Sequence, residues 1–95
     1  HFPNKPVMPG VLIVEAMAQV GGVLMLSKEE NKGKLAYFMS IDNVKFRKAI
    51  GPGDQLALEV EVTKLKGKIG QLQGRTFVNG KLATEASFMC TIIDS

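Results

Sequence analysis

Three features of this 95-residue chain are of the kinds that move protons or hold developing negative charge. His1 is the single histidine. Glu15 stands in a run, Gly10 to Leu26, where Gln19 is the only other polar side chain. Pro9-Gly10 opens that run with no Ser, Thr, Asp or Asn to cap it. A helix starting there leaves its first N–H groups without a side-chain acceptor from sequence neighbours. Those donors carry the positive end of the helix dipole, and water, a remote group or a ligand must meet them.

Each feature also has an ordinary explanation. A lone histidine is often structural or exposed. Glu15 and Gln19 are four apart, so on a helix they stack on one side, and a local hydrogen bond would satisfy the carboxyl. Read as chemistry, desolvation of a carboxyl favours its protonated form, which suits a general acid. Together His1, Glu15 and the helix start supply a base, an acid and an oxyanion site. That set fits proton removal beside a carbonyl coupled to loss or addition of a hydroxyl. No nucleophile–base pattern, glycine-rich phosphate loop or metal-ligand spacing accompanies it.

The elements that must position these groups follow from periodicity. Residues 1–9 hold three prolines and read as a stiff extended loop. Residues 10–26 are apolar on nearly every side, so the helix is expected to be buried all round rather than along one stripe. Gly21 and Gly22 weaken it, and close packing of another backbone is the expected compensation. The helix should end near Ser27 to Glu30, before a polar loop through Lys34. A strand is expected over Leu35–Ile50, broken by a bulge or bend at Asp42-Asn43. Gly51-Pro52-Gly53-Asp54 is a turn. Gln55–Lys64 alternates, with Leu56, Leu58, Val60 and Val62 on one face. After a turn at Lys66-Gly67-Lys68, residues 69–78 set Gln71, Gln73 and Arg75 opposite Leu72, Thr76 and Val78. Asn79-Gly80 is a strong hairpin signal before a fourth strand, Lys81–Ile93. The fold class is therefore α+β: a buried helix followed by an antiparallel sheet that curls around it, in one domain spanning 1–95. Four strands are few for that task, and help from a partner subunit or further strands is expected.

Composition narrows the function classes. Six aromatics and no Trp offer little base-stacking surface, and a net charge of +3 is too mild to indicate nucleic acid. The apolar run is shorter than the roughly 20 residues of a membrane span and holds Glu15. Cys90, the only cysteine, sits in an apolar run and reads as a small buried hydrophobe in a reducing compartment.

The motif His1-Phe2-Pro3, Pro6-Val7-Met8-Pro9-Gly10-Val11-Leu12 and Glu15-Ala16-Met17-Ala18-Gln19 closely resembles the signature of FabZ-type (3R)-hydroxyacyl-[acyl-carrier-protein] dehydratases of type II fatty acid biosynthesis. Ile41-Asp42, Phe46-Arg47 and Pro52-Gly53-Asp54-Gln55-Leu56 resemble the family's second block. The resemblance covers His1 to about Ile92. It implies a hotdog fold, a long central helix wrapped by a curved antiparallel sheet, in a homodimer assembled into a trimer of dimers. It implies a hydro-lyase that needs no metal or redox cofactor and takes its substrate on the phosphopantetheine of acyl carrier protein. His1 would take the C2 proton, and Glu15 of the partner would protonate the departing 3-hydroxyl. Gly10 and Val11 at the helix start would bind the thioester, with the Gly10 N–H on its oxygen, and Gln19 would orient Glu15 or hold the water. A related dehydratase–isomerase family carries Asp at the position of Glu15, so Glu implies dehydration without isomerisation.

Tyr37 and Phe38 are candidates for the acyl-tunnel wall or gate, or are core aromatics. Lys45, Arg47 and Lys48 would meet the phosphopantetheine phosphate or the acidic carrier protein, or form a solvated strand edge. The implied compartment is the bacterial cytoplasm or a plastid stroma. Family members carry a short helix and two strands ahead of the His, so the chain is expected to be a truncated form. A hotdog acyl thioesterase and a non-catalytic acyl-binding or dimerisation module are the alternatives.

Overall fold

The computed structural model describes residues 9–94. Helix α1 spans Gly10–Leu26, and a single 3-10 turn, Glu29–Asn31, follows it. Four strands complete the chain: β1 (Leu35–Phe46), β2 (Leu56–Lys66), β3 (Ile69–Val78) and β4 (Lys81–Ile93). They form one sheet in the order β1-β4-β3-β2, every pair antiparallel. Short turns dictate this. Asn79 and Gly80 both take positive φ, 51° and 84°, the two-residue geometry whose twist matches paired strands. The Asn79 side chain also ties the hairpin back to β2's start, its Oδ1 accepting from Gln55 N at 3.0 Å.

α1 packs on one face of the sheet. On β3 that face holds Gly70, Leu72, Gly74, Thr76 and Val78, alternating with Gln71, Gln73 and Arg75 as expected. Two glycines there let the helix approach closely. A Cβ on Gly74 would lie 2.8 Å from Met17 Sδ, and one on Gly70 would lie 2.7 Å from Met25 Sδ. Met17 and Met25 are eight residues apart, or ~12 Å along a helix; Gly74 and Gly70 are ~13 Å apart along a strand. The helix therefore runs along β3 in the opposite direction. Fully buried Met17 is the centre of this contact, and removing such a side chain from water is worth about 1.5–3 kcal/mol. Gly21 makes room for side chains rather than for backbone: its nearest neighbours are Leu72 Cδ2 at 3.0 Å and Val60 Cγ1 at 3.6 Å. Cys90 is buried in the core as expected, and burial pushes its thiol up.

Two expectations need correction. First, α1 is not buried all round. Ile13, Met17, Gly21, Gly22 and Met25 face the sheet, whereas Val11 is 74% and Val23 68% exposed. A single sheet layer covers one side of a helix, and among the described residues no second layer covers the other. Second, β1 stops at Phe46, not Ile50. The amides of Arg47 and Lys48 both turn to Ala83 O, at 2.7 and 3.2 Å, and Ile50 then tucks into the core.

Candidate active site

The start of α1 is open. Pro9 occupies the N-cap position with extended backbone and no side-chain hydrogen bond. Leu12 N–H reaches Pro9 O at 3.1 Å. Among the described residues no acceptor meets the N–H of Gly10 or Val11, as the uncapped Pro-Gly start predicted.

Glu15 lies one turn further on, at the rim of a groove of about 530 Å³. Val11, Val14 and Ala18 form the helix side, and Ile41, Val44 and Phe46 of β1 form the other. Glu15 is the only polar side chain in that lining. It is exposed, contrary to the buried position expected of it, because it sits on the flank of α1 that the sheet leaves open. Gln19 is exposed as well, and no hydrogen bond joins the two. Their shared side of the helix follows from the four-residue spacing; the local satisfaction of the carboxyl by Gln19 does not occur.

The β1 wall of the groove depends on two bulges. Register shifts fall between Phe38 and Ser40 and between Asp42 and Lys45. Each extra residue reverses which face the following side chains occupy. Phe38, Ile41 and Phe46 pair with Cys90, Phe88 and Thr84, all buried, so all three point to the helix side despite their uneven spacing. Asn43 sits in the second bulge with φ 53°, a left-handed conformation that Asn tolerates better than most residues. The bend expected at Asp42-Asn43 is present. What it does, turning Ile41, Val44 and Phe46 into a wall opposite Glu15, was not foreseen. Its only signal in the sequence was the break in alternation.

Tyr37 and Phe38 part company. Phe38 packs under α1, 5.9 Å from the Phe88 ring centre at 72°. Tyr37, next in sequence, is 57% exposed on the other face of the sheet. Neither lines the groove at Glu15.

The three basic candidates also differ from one another. Arg47 donates from Nε and Nη2 to Glu85 Oε2, at 2.8 and 2.5 Å. These hydrogen bonds, and behind them the charges of Arg47, Lys45 and Arg75, hold the Glu85 carboxyl below the usual carboxylate range against the opposing effect of burial. Lys45 lies opposite Glu85 in the ladder. Lys48 lines a second groove at the helix tip, about 440 Å³, with Gly10, Ile13 and Thr84. No ion pair engages Lys45 or Lys48 among the described residues. Glu85 was missed as a partner because 38 residues separate it from Arg47. His1 lies outside the described residues.

A helix laid across an antiparallel sheet, with an uncapped tip and a carboxylate beside an apolar groove, defines the class. The fold is the hotdog. A hot-dog-like protein from Thermanaerovibrio acidaminovorans superimposes with a TM-score of 0.80 over 94% of this chain and 64% of its own, at 14% identity. A hexameric thioesterase from Yersinia pestis gives 0.76 over 99% and 92%, at 19% identity. At such identities the likeness concerns the fold alone.

The family model described as a FabA-like domain matches residues 1–87, and the chain belongs to that family. The resemblance to FabZ-type dehydratases extends along nearly all of it. The chain is 57% identical over 94 residues to the 3-hydroxyacyl-[acyl-carrier-protein] dehydratase FabZ of Geobacillus sp. (strain WCH70), covering 99% of this chain and 65% of that protein. It is 60% identical over 89 residues to the protein of the same name from Anoxybacillus flavithermus, covering 94% and 63%. The chain thus spans a little under two thirds of the length of these relatives.

Proposed function

We propose that this chain carries the catalytic core of a hydro-lyase that dehydrates (3R)-3-hydroxyacyl-acyl-carrier-protein to the trans-2-enoyl thioester in fatty acid biosynthesis. The observation that carries this reading is the 57% identity, over 99% of the chain, to a protein named for that reaction. The geometry at α1 supports it. The groove beside Glu15 is apolar, as an acyl chain requires, and the helix tip offers N–H donors where a thioester oxygen gains charge.

In the proposed reaction His1 removes a proton from C2, and negative charge moves onto the thioester oxygen. The Gly10 N–H, with Val11 beside it, receives that oxygen. Glu15 gives its proton to the 3-hydroxyl, the C3–O bond breaks, water leaves and the C2–C3 double bond forms. Gln19 holds the departing water or orients Glu15. No metal or redox cofactor is needed, because every step is a proton transfer or a C–O cleavage. Glu rather than Asp at this position goes with dehydration that stops at the 2-enoyl product.

The site is completed by a homodimer, with His1 of one subunit facing the partner subunit's Glu15, and dimers gather as a trimer. Glu15's exposure in one chain and the bare apolar flank of α1 support a site finished by a second copy. Only an acyl chain that runs beyond the groove would meet Phe38 beneath α1, and Tyr37 would reach it only from the opposite face. Lys48, beside the tip, and Lys45 meet the phosphopantetheine phosphate or the acidic carrier protein, and Arg47 joins them through its pair with Glu85. The setting that goes with this reading is the bacterial cytoplasm or a plastid stroma. Among the described residues no helix is long and apolar enough to cross a membrane.

The test is direct. 3-Hydroxybutyryl-carrier protein is mixed with the chain and the enoyl thioester absorbance is followed. Enoyl formation is expected. Free thiol without enoyl product would mean a thioesterase instead, and neither product from a folded oligomer would mean a non-catalytic module.

A further inference from the structure

Phe46 touches the tip of α1 at the residue that begins it. A Cβ built on Gly10 would lie 2.7 Å from Phe46 Cζ and 2.9 Å from Cδ1. The ring therefore rests against the Gly10 backbone with no room for a methyl group between them. Phe46 also lines both grooves that meet at the tip, the apolar one at Glu15 and the one at Lys48. Its backbone is braced, while the residue as a whole is 56% exposed. It pairs with buried Thr84, and the two residues after it both hydrogen-bond to Ala83 O. Ile13 is the first buried residue of the helix, and Val11 and Leu12 are 74% and 50% exposed.

From this contact we infer that Phe46 is a positioning residue: its ring sets where the Gly10 and Val11 N–H donors stand, and so where the thioester oxygen is held. The inference rests on the dehydratase reading. The physical reason is distance. Electrostatic stabilisation of an oxyanion needs donors about 2.7–3.1 Å from the oxygen, and a displacement near 1 Å costs on the order of 100-fold in rate. Gly10 is then glycine for the sake of the ring, since its φ lies outside the left-handed region and its N–H would survive a change to Ala.

The test is a double-mutant cycle on the chain, with kcat, KM and the thermal midpoint measured for 3-hydroxybutyryl-carrier protein. Gly10→Ala keeps the N–H but pushes against the ring, and kcat is expected to fall about 10- to 100-fold with KM nearly unchanged. Phe46→Ala frees the tip and lowers kcat about tenfold. In the double variant the new methyl has room, so the loss should not exceed that of Phe46→Ala alone. Phe46→Tyr keeps the ring and should stay within about twofold of the parent, which guards against a Phe46→Ala that fails to fold. Additive losses, an unchanged kcat in Gly10→Ala, or losses that follow the thermal midpoint would overturn the inference while leaving the dehydratase reading intact. A parent chain that is folded yet forms no enoyl product would overturn that reading, and this inference with it.

Discussion

At its C-terminal end α1 hands its last carbonyls to side chains, and at its N-terminal end no side chain among the described residues meets the first amides. Asn31, buried, donates from Nδ2 to Met25 O at 2.8 Å, and Ser27 Oγ donates to Leu24 O at 2.7 Å. Met25 is pressed onto Gly70 below. At the other end Pro9 offers no side-chain cap, the first turn is exposed, and grooves open on either side of Phe46. The same helix is finished as structure at one end and left unfinished at the other. Unsatisfied donors are tolerated where water or a ligand can reach them, and buried carbonyls without partners are not. That difference supports the proposal that substrate meets the N-terminal end.

If that division is right, substitutions at the two ends should separate activity from stability. The largest effect is expected at Glu15. Glu15→Gln removes the proposed proton donor and should lower kcat on 3-hydroxybutyryl-carrier protein about 100- to 10,000-fold. Because Glu15 is exposed and makes no hydrogen bond with Gln19, its thermal midpoint should stay close to the parent's. A variant with unchanged rate would move the chemistry away from the open end. Asn31→Ala, at the closed end, should show the reverse: a loss of about 1–3 kcal/mol in denaturant unfolding, with kcat per folded molecule retained. Capping the open end sharpens the contrast further. Pro9→Asp supplies an acceptor for the free amides and should stabilise the chain by about 0.5–1 kcal/mol while weakening thioester binding. Gain of stability with full activity would show that those amides are not used.

The smallest effect belongs to the Arg47–Glu85 pair at the same end, where Arg47 lines the groove at the helix tip but not the one at Glu15. Glu85 is held below the ordinary carboxylate range in the fold, so its contribution is present above its unfolded value and is lost as pH falls through its lower folded value. The difference in thermal midpoint between the parent and Glu85→Gln should therefore be steady near neutral pH and shrink below about pH 4. A difference that grows on acidification would contradict the assignment.

Much of this contrast could be read from residue types. The absent cap at Pro9-Gly10, the four-residue spacing of Glu15 and Gln19, the Asn79-Gly80 hairpin and the inward row of β3 are local facts, and local geometry carries them into the structure. The coverage of α1 was not legible. Its composition is apolar on every side, but how many sides are covered depends on how many layers the chain brings, and four strands bring one. The wall opposite Glu15 was hidden for a different reason. Alternation assigns faces only while the register holds, and two bulges in β1 reverse it before Ile41 and again before Phe46. Tyr37 and Phe38 show the converse: strict alternation over two residues separates side chains that looked like neighbours. The Glu85 partner of Arg47 is a product of strand order, which pairs β1 with β4 across the length of the chain.

In the proposed reaction substrate engages the uncapped end of α1. The most direct measurement is an amide titration: uniformly 15N-labelled chain, crotonyl-pantetheine as the probe, and chemical shifts followed residue by residue. The largest shifts are expected on Gly10, Val11 and Glu15, with Ile41 and Phe46 across the groove, while Met25 and Asn31 stay still. Shifts confined to the Leu24–Asn31 end, with Gly10 and Val11 unmoved, would contradict it.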